Sequence, residues 1–113
     1  MTGNEGLVPE RFERHTLVLL IRPVDAPRFE EEALDRLQHA HLAYLHDLQL
    51  RGVIVANGPF AEQTDERLRG LSVYSVPPDE ALRLASADPM VQAHRLVVEV
   101  VEWWTGEGTL HFA

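Results

Sequence analysis

The chain has 113 residues, 45% hydrophobic and 25% charged, a profile that fits one ordinary globular domain with a core of limited size. Its ten Lys and Arg against eighteen Asp and Glu give a formal charge of −8 with no basic patch, which argues against a nucleic-acid binder. Cysteine is absent, which excludes disulfides, thiolate metal sites and a cysteine nucleophile, and a reducing cytoplasm suits such a chain.

Residues 1–14, beginning MTGNEGLVPE, lack the basic-then-apolar order of a signal peptide and read as a frayed polar tail. No apolar run approaches the ~20 residues that a bilayer span needs, so no membrane association is expected. The domain proper spans residues 15–104. HTLVLLIR, at 15–22, is β-branched and leucine-rich and is stopped by Pro23, which predicts a strand. A long helix is predicted over 27–51, with Asp25 as N-cap, Pro27 in the first turn, acids at Glu30, Glu31 and Glu32, and Arg51-Gly52 as its end. VIVANGPF, at 53–60, is a second strand that ends in a Gly-Pro turn. A polar loop leads to a third strand at 69–76, stopped by Pro77-Pro78. A short helix starts near Pro78, DPMVQA adds one further turn, and RLVVEVVEWW, at 95–104, forms the last strand. Residues 105–113 are a second tail.

The order β-α-β-β-α-β predicts an α+β, ferredoxin-like fold: a four-stranded antiparallel sheet with two helices on one face. TLVLLI is apolar at every position, and LVVEVV places Val or Leu on both faces. A sheet with one solvated face alternates with polar residues instead. The second apolar face therefore needs a cover. Another copy of the same sheet supplies one, which predicts a homodimer packed face to face. The alternative cover is the two tails, which carry few large apolar residues. Trp103 and Trp104 point to opposite faces, one expected in the core and the other at a dimer seam.

Three of the six histidines fall in LQHAHLAYLH, residues 37–46. The apolar stripe of the helix runs through Phe29, Ala33, Leu34, Leu37, Tyr44, Leu45 and Leu48, and His41 lies on it. His41 should face the sheet, with His39 and His46 on a flank. Spacings of two and five do not make a chelating pair, so no metal site is expected. A lone histidine on an apolar stripe is either a hydrogen-bonded core residue or a catalytic group. Asp88-Pro89 has a structural explanation as N-cap and first helical residue. In NGPF, Gly58 allows a conformation or an approach that a side chain would forbid, and Pro59 stiffens it; Asn57 serves either the turn or a ligand. Arg69 is a candidate anion ligand, although strand-entry arginines are commonly solvated. The serines lack nucleophile-elbow context.

Three segments taken together, HAHLAYLHDLQLRGVIVANGPF, RGLSVYSVPPDEALRLASADPMV and VVEVVEWW, resemble the YciI-like (YCII-related) domain family. The matching motifs are His41-Leu42-Ala43-Tyr44-Leu45, Gly58-Pro59 and Asp88-Pro89-Met90, in order across residues 15–104. The longer N-terminal tail and the WWTGEGTLHFA end depart from the family pattern. The resemblance implies a dimeric α+β barrel and a His-Asp site, here His41 with Asp88. It also implies lyase, isomerase or dehydrochlorinase-like chemistry on a small cyclic or aromatic metabolite.

A carboxylate accepting from one imidazole nitrogen would fix the tautomer of the other, giving a general base or acid with neither metal nor cofactor. The expected pocket lies between the long helix and the sheet, lined by Tyr44, Leu45, Val55 and Tyr74, with Gly58 and Pro59 shaping it. The competing expectation is a non-catalytic, small-ligand-binding or accessory dimeric module, in which Asp88 only caps and His41 is a buried polar residue. Axial haem ligation by His41 has no further ligand set to support it.

Overall fold

The computed structural model describes residues 3–112. Its elements are β1 (Phe12–Ile21), α1 (Glu31–Leu50), β2 (Ile54–Pro59), β3 (Leu68–Tyr74), α2 (Pro78–Ser86), α3 (Pro89–Gln92) and β4 (Val97–Gly106). The strands form one open antiparallel sheet in the order β2-β3-β1-β4. This is the ferredoxin-like arrangement, in which each outer strand returns beside an inner one across a helix. Among the described residues no helix is long and apolar enough to cross a membrane.

Alternation along β1 decides where the core sits. Thr16, Val18 and Leu20 are buried, while His15, Leu17, Leu19 and Ile21 on the other face are only half-buried. The buried set packs with Leu45 and Leu48 of α1, Ala81 and Ala85 of α2, and Met90 and Leu96. The opposite face stays largely apolar and open: Leu17 lies beside Val101 and Leu19 beside Leu71, with the exposed Glu99 on the other side of Leu19. Val101 is 38% and Val97 45% exposed.

Helix α1 begins at Glu31, four residues later than the sequence suggests, and Asp25 does not cap it. Glu30 occupies the N-cap position and makes no side-chain cap bond. The cause lies in the preceding segment. Ala26 N–H donates to the Pro23 carbonyl, and the Arg95 guanidinium donates to the Pro27 carbonyl at 2.9 Å. A carbonyl held by an arginine from across the chain is turned away from a helical ladder. The helix ends as expected. Gly52 takes a left-handed conformation, φ +74°, while Val53 N–H returns to the Leu48 carbonyl and Gly52 N–H to that of Gln49. This double return is a Schellman closure, and glycine is the residue that adopts it without a Cβ penalty.

The outer ends of β1 and β4 reach past the rest of the sheet. β3 pairs with β1 only from Thr16 onward, whereas β4 pairs with β1 from Phe12. The residues read as tail at 12–14 and 105–106 therefore belong to a two-stranded ribbon. Trp103 and Trp104 sit on this ribbon, 44% and 49% exposed, so neither joins the core. Trp104 instead packs on Phe12 and under the Arg14 guanidinium, and Trp103 leans on His15. Phe112, from the C-terminal segment, meets the other edge of His15.

A candidate active site at the His41–Asp88 pair

His41 sits on the inward stripe of α1, one turn before Leu45, and is 7% exposed. Its neighbours His39 and His46 are solvent-exposed, as helical geometry requires of residues two and five positions away. The partner of His41 arrives from 47 residues downstream. Nδ1 of His41 lies 2.7 Å from Oδ2 and 2.9 Å from Oδ1 of Asp88. Asp88 is 1% exposed and has a second duty: its Oδ1 accepts from Met90 N–H at 2.8 Å, capping α3. One carboxylate thus does both things the sequence offered as alternatives. With Nδ1–H donated to Asp88, Nε2 is the free nitrogen of the imidazole.

His41 borders a cavity of about 250 Å³ between α1 and the sheet. Leu42, Leu45 and Leu20 form its apolar wall, and Asn57, Gly58 and Pro59 at the end of β2 form its rim. Asn57 is held by Ser72 of β3, whose Oγ donates to Oδ1 at 2.8 Å.

Two expected residues play different parts. Tyr44 does not border the cavity; its hydroxyl donates to the Leu84 carbonyl at 2.8 Å, tying α1 to α2. Tyr44 is one position from Leu45 and so a hundred degrees round the helix from the cavity wall. Val55 and Tyr74 line a second, shallower hollow near His15 and Phe112. Burial pushes the Tyr74 hydroxyl well above the usual phenol range, helped by the nearby Tyr44 and Asp88. Gly58 has open space where a Cβ would stand and an ordinary φ, so nothing in the fold requires glycine there. The close approach is at Gly70, where a Cβ would lie 3.0 Å from the Gly58 carbonyl oxygen.

The cavity also holds three arginines, of which the sequence singled out only Arg69, as a candidate anion ligand. Arg22, Arg69 and Arg95 all line it. Arg22 follows Ile21 and returns to the helix-facing side by simple alternation. Arg69 would face the open side in a regular strand. The register slips between Leu20 and Ile21, however, so that Leu20 faces Gly70 and Ile21 faces Leu68. That bulge leaves Arg69 unpaired with β1 and turns it toward the cavity. Burial, then the charges of Arg69 and Arg95, holds the Arg22 guanidinium below its ordinary value. Among the described residues no group of three or more His, Asp or Glu is placed to hold a metal ion.

The family model of the YCII-related domain matches residues 17–104. The chain belongs to the YCII-related domain family. The matched span takes in α1 with His41, the Gly58-Pro59 rim and the Asp88 cap. No curated protein matches the chain.

Proposed function

We propose that this YCII-related protein is a small, cofactor-independent enzyme that uses His41 and Asp88 for general acid–base chemistry. The observation that carries the reading is the Nδ1 of His41 held between both oxygens of a buried carboxylate, with the ring bordering a cavity. That arrangement supports a fixed tautomer with Nε2 as the atom that accepts and returns a proton. A buried imidazole serving packing alone would be satisfied by a single backbone or water partner and would have no reason to adjoin a cavity.

Proton abstraction beside a carbonyl or hydroxyl is the chemical step this pair suits. It underlies the lyase, isomerase and dehydrochlorinase reactions that we assign as the candidate classes. The substrate is a small cyclic or aromatic metabolite, in keeping with a cavity of about 250 Å³, just below the usual range for drug-sized ligands. We also infer a homodimer through the open sheet face. The apolar surface around Leu17, Leu19, Val97 and Val101 favours it, as does a two-stranded ribbon extended from the domain, since an isolated ribbon has little stability of its own.

The second reading is a non-catalytic binding module, and the capping bond from Asp88 to Met90 N–H favours it, because that bond alone accounts for a buried Asp. Turnover decides between them. His41→Gln, screened against elimination and isomerisation substrates, abolishes activity while the circular dichroism and oligomeric state stay those of the parent. Loss of folding in that variant supports the core-histidine reading instead.

A further inference from the structure

We propose that the His41 cavity takes a small organic anion, with an oxyanion group held by Arg22 and Arg95 and with Arg69 at the mouth. The inference deepens the proposed function, since it rests on this cavity being the substrate site.

Four observations carry it. First, three of the chain's ten basic residues converge on one cavity whose lining includes no Asp or Glu, in a protein with eighteen acids. Second, four of the seven other arginines have partners among the described residues: Arg51 pairs with Asp47, Arg67 with Asp65, Arg83 with Glu80, and Arg14 stacks on Trp104. Among the described residues none of the three cavity arginines forms an ion pair. Third, the Nε atoms of Arg22 and Arg95 are buried and have no hydrogen-bond partner. A buried N–H without an acceptor is destabilising, and native structures satisfy the great majority of such groups. Fourth, the three guanidiniums repel one another, which contributes to the lowered Arg22 value. Like charges gathered in a partly desolvated hollow are a standing cost that an anion removes.

The remaining contacts of these arginines are to main-chain carbonyls, Arg95 to Pro27 and Arg69 to Glu66, and these position the side chains without neutralising them. A carboxylate or phosphate offers several lone pairs to N–H donors and satisfies a guanidinium in a way a neutral ligand does not. The anion would sit beside His41, so the carbon next to its acidic group, or one conjugated with it, would lie near Nε2. Positive charge around the cavity would also stabilise the enolate-like charge that develops when that carbon loses a proton.

The test titrates the full chain at pH 7 with benzoate, with its neutral isostere benzamide, and with inorganic phosphate. Binding is followed through the arginine Nε–Hε NMR resonances. Benzoate or phosphate is expected to shift Arg22 and Arg95, with benzamide leaving them in place. Tighter binding of benzoate points to a carboxylic acid as substrate, and tighter binding of phosphate to a phosphorylated one. Arg69→Gln, at an exposed position, and Arg95→Gln should each weaken the anion roughly 10- to 100-fold, the range expected for one charge-assisted hydrogen bond. His41→Gln should bind the anion about as well as the parent. If the anion binds but His41 supports no turnover, the acid–base reading falls and the anion site stands. Equal binding of benzamide and benzoate, no response to either anion, or unchanged affinity in both arginine variants overturns the anion site.

Discussion

Replacing Asp88 by Asn and by Ala separates its two bonds. In Asp88→Asn the Oδ1 atom can still accept from Met90 N–H, so the cap of α3 survives. The other oxygen becomes an NH2 group, a donor facing the His41 nitrogen that was itself donating. The ring can keep this shorter contact as a hydrogen bond only by moving its proton to Nε2, which relieves the clash of two donors and gives up the longer Nδ1–H···Oδ1 bond. A charge-assisted bond becomes a neutral one, a loss of about 1 kcal/mol. Asp88→Ala loses the cap to Met90 N–H, about 1 kcal/mol, and leaves a buried imidazole N–H unsatisfied, about 1–3 kcal/mol. The alanine variant should therefore be about 1–3 kcal/mol less stable than the asparagine variant. At this chain length that corresponds to roughly 10 °C in melting temperature. Activity should divide differently. An Nε2 that carries the proton cannot take one, so the asparagine variant should lose about 10²- to 10⁴-fold in turnover despite its near-parental stability. Long-range ¹H–¹⁵N NMR of the imidazole reads the tautomer directly. The parent should carry its proton on Nδ1 when the ring is neutral, and Asp88→Asn should carry it on Nε2. A parent with the proton on Nε2, or an asparagine variant as unstable as the alanine one, would refute this reasoning.

Gly70→Ala should destabilise the domain by about 1–3 kcal/mol, because its Cβ meets the Gly58 carbonyl, while Gly58→Ala should be neutral or stabilising by up to about 1 kcal/mol; urea unfolding of the two variants compares them, and the reverse order would contradict the β2–β3 packing. Burial holds the hydroxyls of both tyrosines, Tyr44 and Tyr74, above the ordinary phenol value. A raised folded value means the stability it confers is present below about pH 10 and is lost as pH rises beyond it. Tyrosinate absorbance from Tyr74 should accordingly appear only as the protein unfolds in alkali, and ionisation of both tyrosines near pH 10 in the folded protein would count against the assigned environments. Leu17→Lys places a charge at the centre of the open sheet face and should convert a dimer, at twice the 12.8 kDa of one chain, into a monomer on size-exclusion chromatography. A parent that already elutes as a monomer would remove the dimer from the account.

Much of the architecture could be read from the order of apolar runs and Pro/Gly stops. Those signals are local, and each strand and helix lies within a few residues of its sequence position. The misplaced boundaries share a non-local cause. The start of α1 is moved by Arg95 reaching back to Pro27, and β1 is lengthened by a partner strand more than 80 residues away. Helical periodicity turned His41 inward without help. It could not supply Asp88, because no local pattern links residues 47 positions apart; only the family resemblance named the two together. The arginines were the least legible. Arg22 and Arg95 look like ordinary strand ends, and only the pairing of β1 with β4 brings them to one end of the sheet. The position of Arg69 depends on a bulge that hydrophobic alternation does not reveal. The signal that was available is that three arginines stand at strand ends in a chain whose other charges are mostly acidic.

The central claim is that His41, held by Asp88, exchanges a proton with carbon in a bound anion. Deuterium incorporation tests it most directly. A panel of small keto and enol acids is incubated with the protein in D₂O, and loss of the α-proton signal is followed by NMR. The account predicts that at least one acid the cavity binds exchanges with the parent protein, and that His41→Gln leaves it bound but unexchanged. Bound acids that never exchange with the parent, or that exchange equally fast with His41→Gln, would contradict it.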